Sequence, residues 1–225
     1  IPEMNLTVIP YYFTDLNKIK NWFGSPAASI LEAKLEQRGV KNIMWLYTTR
    51  SAVFTANKPL LKPDDFKGVK IRGLNRLADT ALTAVGAAPS AMAAPEVYQA
   101  LQSGVLDAAF TDVSAGVSRR FYEVQKFGTV TPYFMVWYHV YVNPKWWSEL
   151  TPAHRDALSQ AARKTELAAF DLTEKTAAEA EKILAEKGMT LHVQTAAERD
   201  AWIKAMQKPV LDEFLKQAPQ DGQKL

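Results

Sequence analysis

Two arginines and one hydroxyl stand where short apolar runs end. Ile43 to Thr48 leads into Arg50, Val69 to Ile71 leads into Arg72 and Gly73, and Leu106 to Phe110 leads into Thr111. If those runs are strands of an open α/β sheet, their carboxyl ends border the crevice where such sheets bind ligands. Arginine presents a planar donor fork that fits a carboxylate, and a hydroxyl adds a further donor. A plainer reading is also open, since strands at a surface often end in a charged residue. A second group is aromatic: Tyr11, Tyr12, Phe13, Trp45, Trp137 and Tyr138 lie in or beside apolar segments. Such rings line small-molecule clefts, and they are equally ordinary core residues.

Other chemistries lack their residues. The chain has no cysteine, which removes disulfides, zinc–thiolate sites and a cysteine nucleophile. His139, His154 and His192 are far apart in sequence, and none belongs to an H-E-x-x-H pair, so no metal site is expected. No G-x-S-x-G elbow and no glycine-rich phosphate loop occurs, so neither catalytic residues nor a cofactor is expected. An enzyme on this frame has only Asp107, Asp112 and His139 to draw on, and no known spacing links them. Asp64 and Asp65 are adjacent and read as a solvated turn. With 27 Lys+Arg against 24 Asp+Glu, the net charge is +3, and Arg119-Arg120 is the densest basic spot. That is too small a footprint for nucleic acid.

The elements that position these residues read as mixed α and β. At 225 residues and 48% hydrophobic, the chain can bury a core in one large or two small domains. No apolar run approaches the roughly 18 residues of a membrane span. Helices are expected over Ala27 to Arg38, from Asn75 to about Val85, over Pro95 to Ser103, and around Glu198 to Leu215 with a break or kink at Pro209. Strands are expected at Ile43–Tyr47, Val69–Arg72, Leu106–Thr111, Tyr133–Val142 and Met189–Val193. Alternation of this kind argues for α/β lobes with largely parallel sheets. The longest element runs from Thr151 to Lys187, capped by Thr151 and stopped at Gly188. About 36 residues at 1.5 Å each make a helix roughly 54 Å long, too long for one small domain to cover. A helix shared by two lobes is the better reading than a coiled coil. Its expected buried stripe is Leu158, Ala161, Ala162, Thr165, Ala168, Ala169, Leu172, Thr176, Ala180 and Ile183. The polar tail from Gln217 to Leu225 is expected to fray.

Three ordered motifs narrow the reading. Gly68-Val69-Lys70-Ile71-Arg72, then Val85-Gly86-Ala87-Ala88-Pro89, then Glu96-Val97-Tyr98-Gln99-Ala100-Leu101-Gln102-Ser103-Gly104-Val105-Leu106-Asp107 closely resemble the solute-binding subunit of tripartite ATP-independent periplasmic (TRAP) transporters. Pro10-Tyr11-Tyr12-Phe13, Arg50, Val142-Asn143-Pro144-Lys145-Trp146-Trp147 and the long helix fit the same family. The resemblance implies an α/β, two-lobed periplasmic-binding-protein-like fold with a long helix spanning both lobes. Residues 1–48 and 137–165 then belong to the first lobe, 49–136 and 175–225 to the second, and 152–187 to the shared helix. It implies a periplasmic protein, not an enzyme, that closes over a small organic acid and passes it to TRAP membrane permease subunits. A ligand sensor serving a signalling partner stays open as an alternative, and so does an enzyme. In the family, the arginine of the Lys-x-Arg strand pairs with the ligand carboxylate, which carries over to Arg72. Arg50 follows as a second ligand or hinge contact. Thr111 takes the place of a ligand-binding Asn, with Phe110 in place of an acidic residue. Trp137 and Tyr138 are implied as cleft aromatics, with Phe13 behind them. The resemblance also leads us to expect a further βαβ unit ahead of Pro10–Phe13. Without it, Trp22 and Trp45 are expected to be exposed.

Overall fold

The computed structural model describes residues 1–14, 16–48 and 50–225, with the backbone alone for residues 16–18. In chain order the regular elements are α1 (Leu16–Trp22), α2 (Pro26–Gln37), β1 (Lys41–Tyr47), β2 (Ser51–Thr55), β3 (Lys70–Gly73), α3 (Arg76–Ala84), β4 (Ala88–Ala91), α4 (Val97–Gln102), β5 (Ala108–Asp112), α5 (Val113–Ser118), β6 (Phe127–Thr131), β7 (Trp137–Val142), α6 (Pro144–Glu149), α7 (Pro152–Glu186), β8 (Thr190–Val193) and α8 (Ala196–Gln217). Short 3₁₀ segments include Pro2–Val8 and Pro63–Phe66. The caps read from sequence are present. Asn75 Oδ1 accepts from the Ala78 N–H at 2.9 Å, and Thr151 Oγ1 accepts from the His154 N–H at 3.3 Å. Each satisfies one of the N–H groups that a helix start leaves without a partner.

Two sheets result. β1 and β7 form an antiparallel pair, and six strands form the other sheet in the order β4-β3-β5-β2-β6-β8. In the larger sheet β3 runs parallel to β4 and β5, and β6 parallel to β8, while β2 is antiparallel to both its neighbours. The expected parallel character therefore holds for the larger sheet except at β2, and fails for the smaller one. The cause is connectivity: β1 feeds directly into β2, and β6 into β7. The chain crosses twice between the sheets on neighbouring antiparallel segments. Thr48 and Val136 pair there: the Thr48 N–H donates to the Val136 carbonyl at 2.9 Å, and the Val136 N–H donates to Thr48 Oγ1 at 3.2 Å. Ser51 Oγ secures the same place, donating to the Thr131 carbonyl at 2.6 Å and accepting from the Tyr133 N–H at 3.1 Å.

Side chains on the larger sheet alternate between two cores, as the period of a strand requires. Val53, Ile71, Ala108 and Phe110 face α3 and α8, joining Leu77, Trp202 and Phe214. Ala52, Phe54, Ala109 and Val130 face α4, α5 and the far half of α7, joining Val113, Ala177 and Leu184. Phe54 is fully enclosed, and the absent side chain of Gly116 makes the room: a Cβ there would lie 2.5 Å from the Phe54 ring. Burying a ring of this size contributes roughly 1.5–3 kcal/mol.

α7 spans both units, and its buried residues differ from the expected stripe. They are Ala162, Glu166, Phe170, Ala177, Ala180 and Leu184, whereas Ala161, Thr165, Ala168, Leu172 and Ile183 face outward. The near half lies on β1, where Glu166 accepts from the Trp45 N–H and Phe170 packs on Tyr47. The far half lies on α5 and β8. A charged side chain inside the stripe and a leucine outside it displace the hydrophobic count by about one position per turn.

Further expectations need correction. Trp22 and Trp45 are buried rather than exposed, because they pack edge-on with Phe13 and Trp137 into one aromatic cluster. α8 continues through Pro209, since Met206, Val210 and Phe214 are seated in the core on either side of it. The tail does not fray: Ala218 is buried, the Tyr12 hydroxyl donates to the Leu225 carbonyl at 3.2 Å, and Asp221 pairs with Lys34 at 3.0 Å. β2, β4, β6, α1, α5 and α6 are elements the sequence reading did not name. Residues 2–8, expected with the first lobe, pack on α3 and α8 of the larger sheet. The boundary expected at residue 49 falls outside the described residues.

Candidate functional site

The carboxyl ends of β3, β4 and β5, the amino end of β2 and the last residues of β6 all meet one edge of the larger sheet. Arg72 reaches this edge from β3. Its register partner is Ala109, so it shares a sheet face with Ala109 and Thr111. Arg72 Nη1 donates to the Phe110 carbonyl at 3.2 Å, and Nε donates to the Met92 carbonyl beyond β4 at 3.4 Å. Among the described residues no carboxylate lies within ion-pair distance of it. Burial, and then the neighbouring Arg119, hold the Arg72 guanidinium below its ordinary pKa. Arginine stays protonated regardless, so this edge carries a half-desolvated cation whose hydrogen bonds among the described residues go to carbonyl oxygens, while Asp112 and Asp79 act on it from beyond ion-pair distance. A carboxylate is the natural complement to that arrangement.

Thr111 is buried beside it. Its Oγ1 accepts from Arg119 Nη1 at 3.3 Å, and its own O–H finds no acceptor among the described residues. Asp112 caps α5, accepting from the Ala115 N–H at 2.8 Å and from the Ser114 hydroxyl. Gly73 is required here because the Asp79 carboxylate lies where its Cβ would be. Burial raises the Asp79 pKa, and its Oδ1 accepts from the Leu74 N–H at 3.0 Å.

The other expected residues are not gathered around Arg72. Arg50 turns to α7, where it donates to Glu181 at 3.0 Å and Glu174 at 3.4 Å. Tyr138 is exposed and lines a cavity of about 250 Å³ between the sheets, together with Tyr47, Thr48, Asp112, Ser114 and Leu172. Trp137 is buried in the aromatic cluster, 5.2 Å from the ring of Phe13, and both serve as the packing behind β7. Arg119 is the residue the sequence reading missed. It was visible as half of the Arg119-Arg120 pair at the end of α5, but nothing in the sequence told which of the two turns inward.

The three acid–base candidates do not converge. Asp107 sits at the opposite end of β5 from Asp112, accepting from the Lys70 N–H at 2.8 Å. A strand of that length separates them by roughly 17 Å. His139 belongs to the smaller sheet. Among the described residues, no cluster of His, Asp or Glu could hold a metal ion, and no helix is long and apolar enough to cross a membrane.

Comparison with known proteins agrees with this architecture. The chain is 32% identical over 216 residues to the C4-dicarboxylate-binding periplasmic protein DctP of Rhodobacter capsulatus, covering 95% of this chain and 64% of that protein. It thus spans less than two thirds of that relative. A TRAP periplasmic solute-binding protein from Marinobacter aquaeolei, solved in an apo open form, superposes with a TM-score of 0.93 at 25% identity, covering 100% of this chain and 75% of that one. DctP6, an extracytoplasmic solute receptor of Bordetella pertussis binding pyroglutamic acid, superposes with a TM-score of 0.88 at 27% identity, covering 99% and 73%. These structures share the two-lobed fold with its long helix. The family model for DctP, bacterial extracellular solute-binding protein family 7, matches residues 1–217, and the chain belongs to that family.

Proposed function

We propose that the chain is the ligand-capturing part of an extracytoplasmic, periplasmic solute-binding protein. It takes a small organic carboxylate at the sheet edge, closes its two lobes over it, and delivers it to the subunits of a TRAP-type membrane permease. The observation that carries this reading is Arg72: half-buried, at the carboxyl edge of the sheet, and without an ion-pair partner among the described residues. The C4-dicarboxylate and pyroglutamic acid named for two relatives are both carboxylates. Arg72 reads the carboxylate, and Thr111 donates its free O–H. Arg50 acts at the hinge through α7. Tyr138 forms a wall of the inter-lobe cavity, with Trp137 and Phe13 behind it. Closure draws on an open–closed equilibrium that the ligand biases through its contacts in the closed state.

Titration calorimetry of the 225-residue chain with a panel of small carboxylates tests this. A charge-assisted hydrogen bond contributes about 1.5–3 kcal/mol net, so Arg72→Ala should weaken any acid that binds by at least tenfold. Arg72→Lys should also weaken it, because the planar fork is lost. An acid bound equally well by all three chains would remove Arg72 from the site and the reading with it.

A further inference from the structure

Gly73 follows Arg72 directly, and successive residues of a strand face opposite sides of the sheet. Arg72 shares the face of Ala109, turned to α5, and Gly73 shares the face of Ile71, turned to α3. The Asp79 carboxylate fills the place of the missing Gly73 side chain, so close that no Cβ could stand there. From the first turn of α3 it reaches back past the Asn75 cap, and its Oδ1 accepts from the Leu74 N–H at 3.0 Å. The helix start does not require this, because Asn75 already accepts from the Ala78 N–H. Asp79 therefore holds the two residues after Arg72 from one face, while the Phe110 and Met92 carbonyls hold the guanidinium on the other. Asp79 is half-buried, and among the described residues no cation lies within ion-pair distance of it. Burial lifts its pKa, against the Leu74 hydrogen bond and the charge of Arg72. Arg72 feels Asp79 in turn, after Arg119 and Asp112. Asp112 has a separate task as the cap of α5.

We propose that Asp79 is a positioning residue for carboxylate capture: it fixes the turn that carries Arg72, and from behind β3 its charge moderates the hold of Arg72 on a bound acid. This rests on the carboxylate reading above and adds a residue that acts through Arg72 rather than by touching the ligand. The two effects oppose each other. Pinning the turn orders the donor fork before the ligand arrives, which favours binding. A negative charge across one strand repels the second negative charge brought to the same guanidinium, which disfavours it. Gly73 is what lets both occur, since any side chain there would displace the carboxylate.

Calorimetry with malonate, succinate, lactate and butyrate separates the two effects, and far-UV circular dichroism confirms that each variant is folded. For an acid that binds the wild type, Asp79→Asn keeps an oxygen acceptor for the Leu74 N–H and removes the charge, so binding should tighten about threefold. That gain should shrink in about 0.5 M sodium chloride. Asp79→Ala removes the acceptor as well and should bind roughly tenfold more weakly than Asp79→Asn. Gly73→Ala pushes a methyl into the carboxylate and should weaken binding in the wild type, but much less in the Asp79→Ala chain, where the place is empty. An aspartate with a structural role alone would leave Asp79→Asn equal to the wild type or weaker, never tighter. If Asp79→Asn fails to tighten binding, or binds like Asp79→Ala, the role of Asp79 is overturned while the carboxylate reading still stands or falls with Arg72→Ala. Gly73→Ala alone tests the pin should Asp79→Ala not fold, and unchanged affinity there overturns it. If the wild type binds none of the acids, the carboxylate reading fails and takes this inference with it.

Discussion

His139 provides a measurable link between burial and pH. It sits on β7 directly across from Trp45, with ring centroids 4.4 Å apart, and stacks on Tyr141 at 5.3 Å with the planes nearly parallel. Its Nδ1 is buried with no hydrogen-bond partner among the described residues. Burial lowers its pKa from the ordinary 6.5 to about 4. Between those values the unfolded chain binds a proton that the folded ring refuses. The stabilisation is therefore complete above pH 6.5 and is lost as pH falls toward 4. A fall from 6.5 to about 4 corresponds to about 3 kcal/mol if the ring were wholly enclosed. Part of the ring meets solvent, which screens the effect to roughly 1–2 kcal/mol. Urea unfolding of the wild type and of His139→Phe at about pH 7 and about pH 4.5 measures this directly. The wild type should lose roughly 1–2 kcal/mol more than the variant on acidification. At neutral pH the variant should be at least as stable, since it removes a buried polar atom with no partner. Parallel pH profiles for the two chains would refute the reasoning.

Glu166 offers a second test, because this buried carboxylate accepts from the Trp45 N–H at 2.8 Å and from Arg163 at 3.1 Å. Glu166→Ala leaves a buried N–H without an acceptor and should cost about 3 kcal/mol in urea unfolding, whereas Glu166→Gln keeps the acceptor and should cost about 1 kcal/mol; equal losses would show that α7 does not depend on this bond. Gly116→Ala drives a methyl into the Phe54 ring and should cost about 1–3 kcal/mol by overpacking. Phe54→Leu in the same chain should recover part of that loss, and strictly additive effects of the two changes would argue against the contact.

What the sequence disclosed, and what it hid, follows from how local each signal is. Asn75, Thr151, Pro152 and Gly188 marked helix ends, because capping is decided within a few residues. Arg72 and Thr111 could be placed at strand ends for the same reason, and the structure sets them on one sheet face. β2 and β6 escaped notice: Ser51–Thr55 is a short wholly buried run whose status depends on partners more than fifty residues away. The α7 stripe is not legible in the sequence, because an acceptor inside a core, as at Glu166, looks like a surface residue in any hydrophobic count. For an aromatic such as Trp137 or Phe13 the sequence favours core over cleft wall, and the resemblance alone brings them toward the cleft; both pack in the cluster with Trp22 and Trp45. Arg119 was hidden by its neighbour. Only the left-handed turn at Arg120 separates the two directions, and no residue type announces that turn.

The two crossings between the sheets also set the entropy of assembling the smaller one. Tyr47 pairs with Trp137 across roughly 90 residues of intervening chain, and closing a flexible loop of that length costs about 4 kcal/mol. Once β2 and β6 are laddered, Ser51 already faces Thr131. The loop left to close is then about ten residues, at about 2 kcal/mol. The β1–β7 pair therefore extends a ladder already begun and inherits its register from the larger sheet. A one-residue slip of β7 against β1 would turn Trp137 away from the face that Trp45 shares with it, and so out of the aromatic cluster. The geometry of the inter-lobe cavity is in this sense written in the pairing of β2 with β6.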